Sequence, residues 1–135
     1  MADDPLRAEA QITFLPTADL AATDAFYADA LGLALVRDQG VCRIYRTTPG
    51  AYLGFCDRGA PVSGEHRVVL TLLVPDVDAA YAAVLACGLV PEGPPAHRVR
   101  YAVTSFFVRD PNGYLVEFQR FDVPLSDAAV AAGAR

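Results

Sequence analysis

The chain repeats one order of predicted elements twice, and this repeat constrains its fold more than any other feature. In each half a strand precedes a helix and three strands follow it, with Asp19 and Asp76 placed to cap the two helices. The sequence PGAYLGF at 49–55 resembles PNGYLVEF at 111–118. A repeat with only two copies favours duplication inside one domain over a solenoid.

The repeat predicts an α+β domain made of two βαβββ modules. The chain has 135 residues, which is enough for one domain and too few for two ordinary ones. Hydrophobic residues make up 53% of it, so a sizeable core can form. We predict a single domain over 1–135, with a first module at about 9–58, a second at about 66–121 and a C-terminal tail at 122–135.

Charge and cysteine content exclude several functions. All 11 basic residues are arginines, which excludes lysine Schiff-base chemistry and a P-loop lysine. The net charge of −5 argues against nucleic acid and anionic membranes as partners, and no apolar run is long enough to span a membrane. Three widely spaced cysteines predict reduced thiols rather than a disulfide. With an acidic N-terminus unlike a signal peptide, these features predict a cytoplasmic protein.

Two motifs carry a resemblance to a known family. The pattern of Asp19-Leu20, Phe26-Tyr27 and Leu31-Gly32-Leu33 resembles the first-helix signature of the vicinal oxygen chelate superfamily, and RDPNGYLVEF at 109–118 resembles its closing hairpin. This superfamily includes glyoxalase I, extradiol dioxygenases, and fosfomycin- and bleomycin-resistance proteins. The resemblance covers about residues 9–121. It implies two βαβββ modules whose sheets curl into an incomplete barrel around a cleft, and it implies a homodimer.

The resemblance also implies where a metal would bind. The ligand positions of metal-dependent members fall on Ile12, Gly54 (or Leu53, one register away), Val69 and Glu117. Only Glu117 can bind a cation, and a divalent ion needs three or four side-chain donors. We therefore predict no metal and no cofactor, which argues against glyoxalase I and extradiol dioxygenase activity.

Glu117 and Gln119 lie on alternate positions of a predicted strand and therefore share a face with each other. The family match makes this the cleft face. Glu117 could act there as a ligand group or as an acid or base, and the alternative is an ion pair with a strand arginine such as Arg43 or Arg100.

Aromatic residues supply the predicted walls of the cleft. Phe14 shares parity with Ile12, and Tyr52 with Gly54, so both rings would point into it, and Gly54 would leave room for a ligand. A strand predicted over Arg98–Val108 places Arg98 and Arg100 on one face, either to bind a carboxylate or phosphate or to lie in solvent. The predicted ligand-binding residues are Phe14, Tyr52, Gly54, Arg100, Glu117 and Gln119.

For the histidines and cysteines, a structural role is favoured over a reactive one. His66 and His97 are the only histidines, and a surface or rim position is favoured over a metal pair. Cys42 and Cys56 are predicted to be small buried thiols, because no histidine or helix N-terminus is placed to activate them.

The predicted function is binding of a small organic molecule in the cleft without a metal ion. The alternative is an enzyme: a lyase or isomerase that uses Glu117 as its base, or a metal-dependent lyase, isomerase or dioxygenase with displaced ligands. The sequence does not identify the ligand and leaves open whether the protein is an enzyme.

Overall fold

The computed structural model describes residues 4–59, 62 and 68–125. The chain divides into two compact units, one made of Met1–His66 and Asp110–Gly113, the other of Arg67–Arg109 and Tyr114–Arg135. The linker predicted at 57–65 is described only in part, and most of the C-terminal tail lies outside the described residues. The prediction of a single domain stays a prediction.

Each unit contains one four-stranded mixed sheet. In the first sheet the strands lie in the order β1-β4-β3-β2, and β1 is parallel to β4. In the second the order is β5-β8-β7-β6, and β5 is parallel to β8. The first unit comprises β1 (Gln11–Pro16), α1 (Leu20–Asp24) continued by a π-helical segment (Ala25–Ala30), β2 (Ala34–Asp38), β3 (Cys42–Thr48) and β4 (Ala51–Cys56). The second comprises β5 (Val69–Leu73), α2 (Val77–Ala86), β6 (Ala96–Arg98), a 3-10 turn (Val99–Tyr101), β7 (Val103–Arg109) and β8 (Leu115–Phe121).

The predicted α+β class and the repeated βαβββ order are therefore confirmed. Both helices begin as expected: the Asp19 carboxylate accepts a hydrogen bond from the amide of Ala22 at 2.9 Å, and Asp76 accepts one from Ala79 at 3.0 Å. These bonds satisfy amides that have no partner inside the helix.

Aromatic rings form the core of the first unit on one side of its sheet. Tyr27, from the π-helical segment, stacks on Phe55 of β4 with ring centroids 4.6 Å apart, and Tyr45 of β3 lies 6.1 Å from both rings. In the second unit Phe106 of β7 stacks on Phe118 of β8 at 5.1 Å. Because side chains alternate along a strand, the opposite face of each sheet is left for other roles.

A buried polar network holds the turn 110–113 in the first unit. The Tyr27 hydroxyl donates to the Asp110 carboxylate at 2.7 Å. The Thr17 hydroxyl donates to the side-chain oxygen of Asn112 at 2.6 Å, and the Asn112 amide donates to the Thr23 hydroxyl at 3.1 Å. Buried polar groups are costly without partners, so this network makes the burial of Asp110, which is 5% exposed, tolerable.

Two sequence-based predictions about the strands are wrong. Cys42 and Cys56 form a disulfide, because the antiparallel register of β3 and β4 places them directly opposite each other with Cα atoms 4.1 Å apart. The strand predicted over Arg98–Val108 is interrupted by the 3-10 turn Val99–Tyr101, which ends at Ala102 with a positive φ of 53°. Arg100 therefore lies in a turn and does not share a strand face with Arg98.

Candidate functional site

The side of the first sheet opposite its aromatic core carries three of the predicted ligand residues. The parallel register of β1 and β4 places Ile12 beside Tyr52 and Phe14 beside Gly54. Ile44 of β3 lies opposite Gly54 in the antiparallel register and continues the same face. We call these five residues the first-sheet face. Phe14, Tyr52 and Gly54 are thus brought together as predicted, although their role in ligand binding is a separate matter.

A hollow of about 400 Å³ lies on the first-sheet face. Ile12 and Phe14 remain 43% and 50% exposed there, which leaves apolar surface open to a ligand. Arg37 and Gln39 supply polar groups. The hollow is lined by Ile12, Phe14, Val36, Arg37, Gln39, Ile44 and Tyr52.

Gly54 does not leave the room that the sequence suggests. A Cβ atom at this position would lie 2.5 Å from Cδ1 and Cε1 of Phe14, so the Phe14 ring occupies that space. The glycine lets the ring lie across strand β4. Its contribution to the hollow is therefore indirect, through the position of an aromatic wall.

The second sheet carries Glu117 on the side opposite Phe106 and Phe118. Glu117 is only 7% exposed, and its Oε1 accepts a hydrogen bond from the Thr71 hydroxyl at 2.7 Å. Phe107 of β7 is its direct cross-strand neighbour. Among the described residues Glu117 forms no ion pair, and Arg43, offered by the sequence as a partner, instead lies within 3.8 Å of Asp24 and 3.7 Å of Asp38.

Arg98 shares this side of the second sheet. Its Nε donates to the Ser105 hydroxyl at 2.8 Å, and its guanidinium carbon lies 5.0 Å from the centre of the Phe107 ring. We call Thr71, Glu117, Phe107, Ser105 and Arg98 the second-sheet face. Sequence reasoning missed Thr71, Ser105 and Phe107. Within the predicted strand Arg98–Val108, alternation placed Ser105 and Phe107 on the face opposite Arg98, and only the 3-10 turn brings them to the same side.

The other predicted site residues lie elsewhere on the second unit. Gln119 follows Glu117 on the same side of β8 and lines a second hollow of about 340 Å³ with Leu73 and Phe121. Arg100 is exposed, with its guanidinium 5.6 Å from the centre of the Tyr101 ring. His97 lies on β6 and forms a 2.9 Å contact with Asp122, and both side chains are about half exposed. His66 lies outside the described residues.

The four positions that the family resemblance equates with the metal ligands of metal-dependent members do not fit a metal ion here. Ile12, Gly54 and Val69 offer no side-chain donor, and Glu117 alone cannot displace the water shell of a divalent ion. Within residues 4–59, 62 and 68–125, no three His, Cys, Asp or Glu side chains are grouped to bind a metal. No step of a reaction is therefore assigned to a metal at these positions.

The family model of the Glyoxalase/Bleomycin resistance protein/Dioxygenase superfamily matches residues 10–118. The chain belongs to this superfamily. The match spans most of both units, and it agrees with the family resemblance of the first-helix signature and the closing hairpin. No curated protein matches the chain.

Solved structures show the same fold. A glyoxalase/bleomycin resistance protein/dioxygenase from Nocardioides is 20% identical, with a TM-score of 0.71 and 93% of each chain covered. A glyoxalase/bleomycin resistance protein from Catenulispora acidiphila is 21% identical, with a TM-score of 0.68 over 87% of this chain and 100% of that one. An integron cassette protein from the mobile metagenome of V. cholerae is 20% identical, with a TM-score of 0.66 over 86% and 97%. At these identities the likeness establishes the fold alone.

No helix among the described residues is both long and apolar enough to cross a membrane.

Proposed function

We propose that this superfamily member binds a small organic molecule in the hollow on the first-sheet face and does so without a metal ion. The observation that carries the proposal is a roughly 400 Å³ hollow with aromatic and aliphatic walls at a place where Ile12 and Gly54 provide no metal donor. Ligand sites are usually concave, largely apolar and supplied with a few orienting polar groups. Arg37 and Gln39 are the polar groups available here.

Tyr52 is the residue through which the proposal is best tested. Its ring lines the hollow, and its hydroxyl can orient a ligand while the ring contributes contact area. The anionic aromatic dye 8-anilinonaphthalene-1-sulfonate has the rings and the charge to occupy this hollow beside Arg37. We expect saturable fluorescence enhancement with the purified full chain, unchanged by prior treatment with EDTA.

Tyr52→Ala should weaken dye binding about tenfold, because burial of an aromatic side chain is worth more than the free energy of a tenfold change in affinity. The matched control is Tyr101→Ala, since Tyr101 is 64% exposed and lies in the second unit. Absence of saturable binding, loss of binding after EDTA, or equal effects of the two substitutions would each contradict the proposal.

One observation favours the enzymatic alternative. The Thr71 hydroxyl fixes one oxygen of the buried Glu117 carboxylate at 2.7 Å, as expected for a positioned acid or base. A turnover that disappears in Glu117→Gln, while binding of the same compound persists, would favour a lyase or isomerase. Binding without turnover in both proteins would favour capture.

The homodimer and the cytoplasmic location inferred from sequence stay predictions. The Cys42–Cys56 disulfide removes the argument from reduced thiols on which the location partly rested.

A further inference from the structure

Two charged groups on the second-sheet face have no ionic partner in the part of the chain that the structure describes. The ion pairs among the described residues join Arg43 to Asp24 and Asp38, His97 to Asp122, and Arg109 to Glu92. Neither Glu117 nor Arg98 belongs to any of them. Removing a charge from water is costly unless an opposite charge compensates it. The Glu117 carboxylate is only 7% exposed, so a cation supplied by a ligand would stabilise it.

Both charged groups are nevertheless held in place by neutral hydroxyls. Thr71 donates to Oε1 of Glu117, and Oε2 has no hydrogen bond within the described residues yet is not fully enclosed. The Ser105 hydroxyl, on a residue with no exposed surface, accepts from Nε of Arg98. The two terminal nitrogens of Arg98 keep the fork that matches a carboxylate.

Phe107 lies between the two groups. It is the cross-strand neighbour of Glu117, and the Arg98 guanidinium lies over its ring at 5.0 Å. Glu117 and Arg98 therefore flank one ring and are not among the ion pairs of the described residues. A molecule that carries both an anion and a cation can bridge this gap, whereas a molecule with one charge leaves the other protein group unpaired.

We infer that the second-sheet face binds a small amphoteric molecule, with its carboxylate on the terminal nitrogens of Arg98 and its ammonium group on Oε2 of Glu117. This site goes beyond the proposed function, which concerns the first sheet. The positioned hydroxyls hold both charged groups before the ligand arrives, which lowers the cost of ordering them on binding.

Three probes that share a phenyl group test the inference by isothermal titration calorimetry on the full chain. L-phenylalanine carries both charges, 3-phenylpropionate only the anion, and 2-phenylethylammonium only the cation. We expect L-phenylalanine to bind about tenfold more tightly than either of the others, because each charge-assisted hydrogen bond contributes to affinity.

Substitutions then assign each charge to its partner. Arg98→Gln should abolish the preference of the protein for L-phenylalanine over 2-phenylethylammonium, and Glu117→Gln should abolish the preference over 3-phenylpropionate. Thr71→Val keeps the Glu117 carboxylate but removes the hydroxyl that positions it. This variant should weaken L-phenylalanine binding by a smaller factor than Glu117→Gln does. Arg100→Gln is the matched control and should change nothing, because Arg100 is exposed in the neighbouring 3-10 turn.

Failure of L-phenylalanine to bind would overturn the inference, as would equal binding of the three probes or an equal effect of Arg98→Gln and Arg100→Gln. Circular dichroism of every variant checks folding, and Thr71→Val provides the test if Glu117→Gln does not fold. Since the proposed function is tested through Tyr52 and this site through Arg98 and Glu117, either can fail without the other.

Discussion

The two sheets have the same strand order but carry different chemistry at equivalent positions. Phe14 lies beside Gly54 in the first sheet, and Thr71 lies beside Glu117 in the second. The offsets are 57 in the first strands (71 − 14) and 63 in the last strands (117 − 54). One pair is an aromatic ring over a glycine, whereas the other is a hydroxyl bonded to a buried carboxylate. The shared backbone therefore does not determine which ligand each face can bind.

A second equivalent pair shows how differently the central hairpins are stabilised. Cys42 and Cys56 are covalently joined across β3 and β4. The equivalent residues, 63 positions later in both strands (105 − 42 and 119 − 56), are Ser105 and Gln119, which also face each other across the register. In the second sheet Ser105 instead accepts a hydrogen bond from Arg98. At equivalent positions, the first sheet therefore has a disulfide bond, whereas the second has a hydroxyl that positions the Arg98 side chain.

The largest expected effect concerns this disulfide. Replacing both cysteines, as Cys42→Ser with Cys56→Ser, should lower the free energy of unfolding by about 3 kcal/mol, the value expected when a loop of this length is no longer closed in the unfolded chain. Urea denaturation followed by circular dichroism measures the change.

Reductant provides the control for the disulfide. It should destabilise the wild-type chain by a similar amount and leave the double variant unaffected, because the variant has no bond between these strands to reduce. A wild-type unfolding curve that does not respond to reductant under unfolding conditions would contradict the prediction.

A smaller effect is expected at the glycine that distinguishes the two faces. Gly54→Ala should destabilise the protein by about 1–3 kcal/mol, because the added methyl group overlaps the Phe14 ring. Gly93→Ala is the matched control, since no atom lies within 4 Å of its Cβ position and its φ is not positive. Thermal unfolding of both variants gives the comparison.

The variant Phe14→Ala tests whether overlap with the Phe14 ring causes the loss of stability in Gly54→Ala. In Phe14→Ala the added cost of Gly54→Ala should largely disappear, because the atoms that clash are gone. An equal cost in both backgrounds would mean that the ring does not pack on Gly54 as described.

The sequence predicted what depends on local chemistry and alternation. Asp19 and Asp76 cap their helices, and the parity of Phe14 and Tyr52 places both on the first-sheet face. Alternation also placed Glu117 and Gln119 on one side of β8. These features follow from side-chain hydrogen bonding at helix ends and from the two-residue period of strands.

What sequence reasoning missed depends on register and on an unusual backbone conformation. The disulfide requires Cys42 to lie opposite Cys56, and this pairing depends on an irregularity between Arg46 and Thr48 that shifts the register by one residue. The separation of Arg98 from Arg100 requires a 3-10 turn that ends at Ala102 with positive φ, a conformation that alanine rarely adopts. The identity of the arginine on the second-sheet face therefore had to come from the structure.

The smallest expected effect is on the unfolding free energy at alkaline pH, and it arises at Tyr45. The equivalent residue in the second sheet, Val108, has no group to titrate. Burial raises the pKa of Tyr45, and the hydrogen bond from its hydroxyl to Asp24 at 2.8 Å raises it further. The unfolded chain therefore loses this proton first as pH rises. The stabilising contribution of the Tyr45 hydroxyl is complete below the ordinary tyrosine pKa of about 10 and declines above it, by about 1 kcal/mol near pH 11.

Tyr45→Phe should reduce the fall in unfolding free energy between about pH 9 and about pH 11, on either side of the ordinary tyrosine pKa. The control Tyr101→Phe, at a 64% exposed position, should leave that fall unchanged. Equal slopes in all three proteins would mean that the hydroxyl is hydrated in the folded chain and that the first sheet, like the second, has no alkaline-sensitive group at this position.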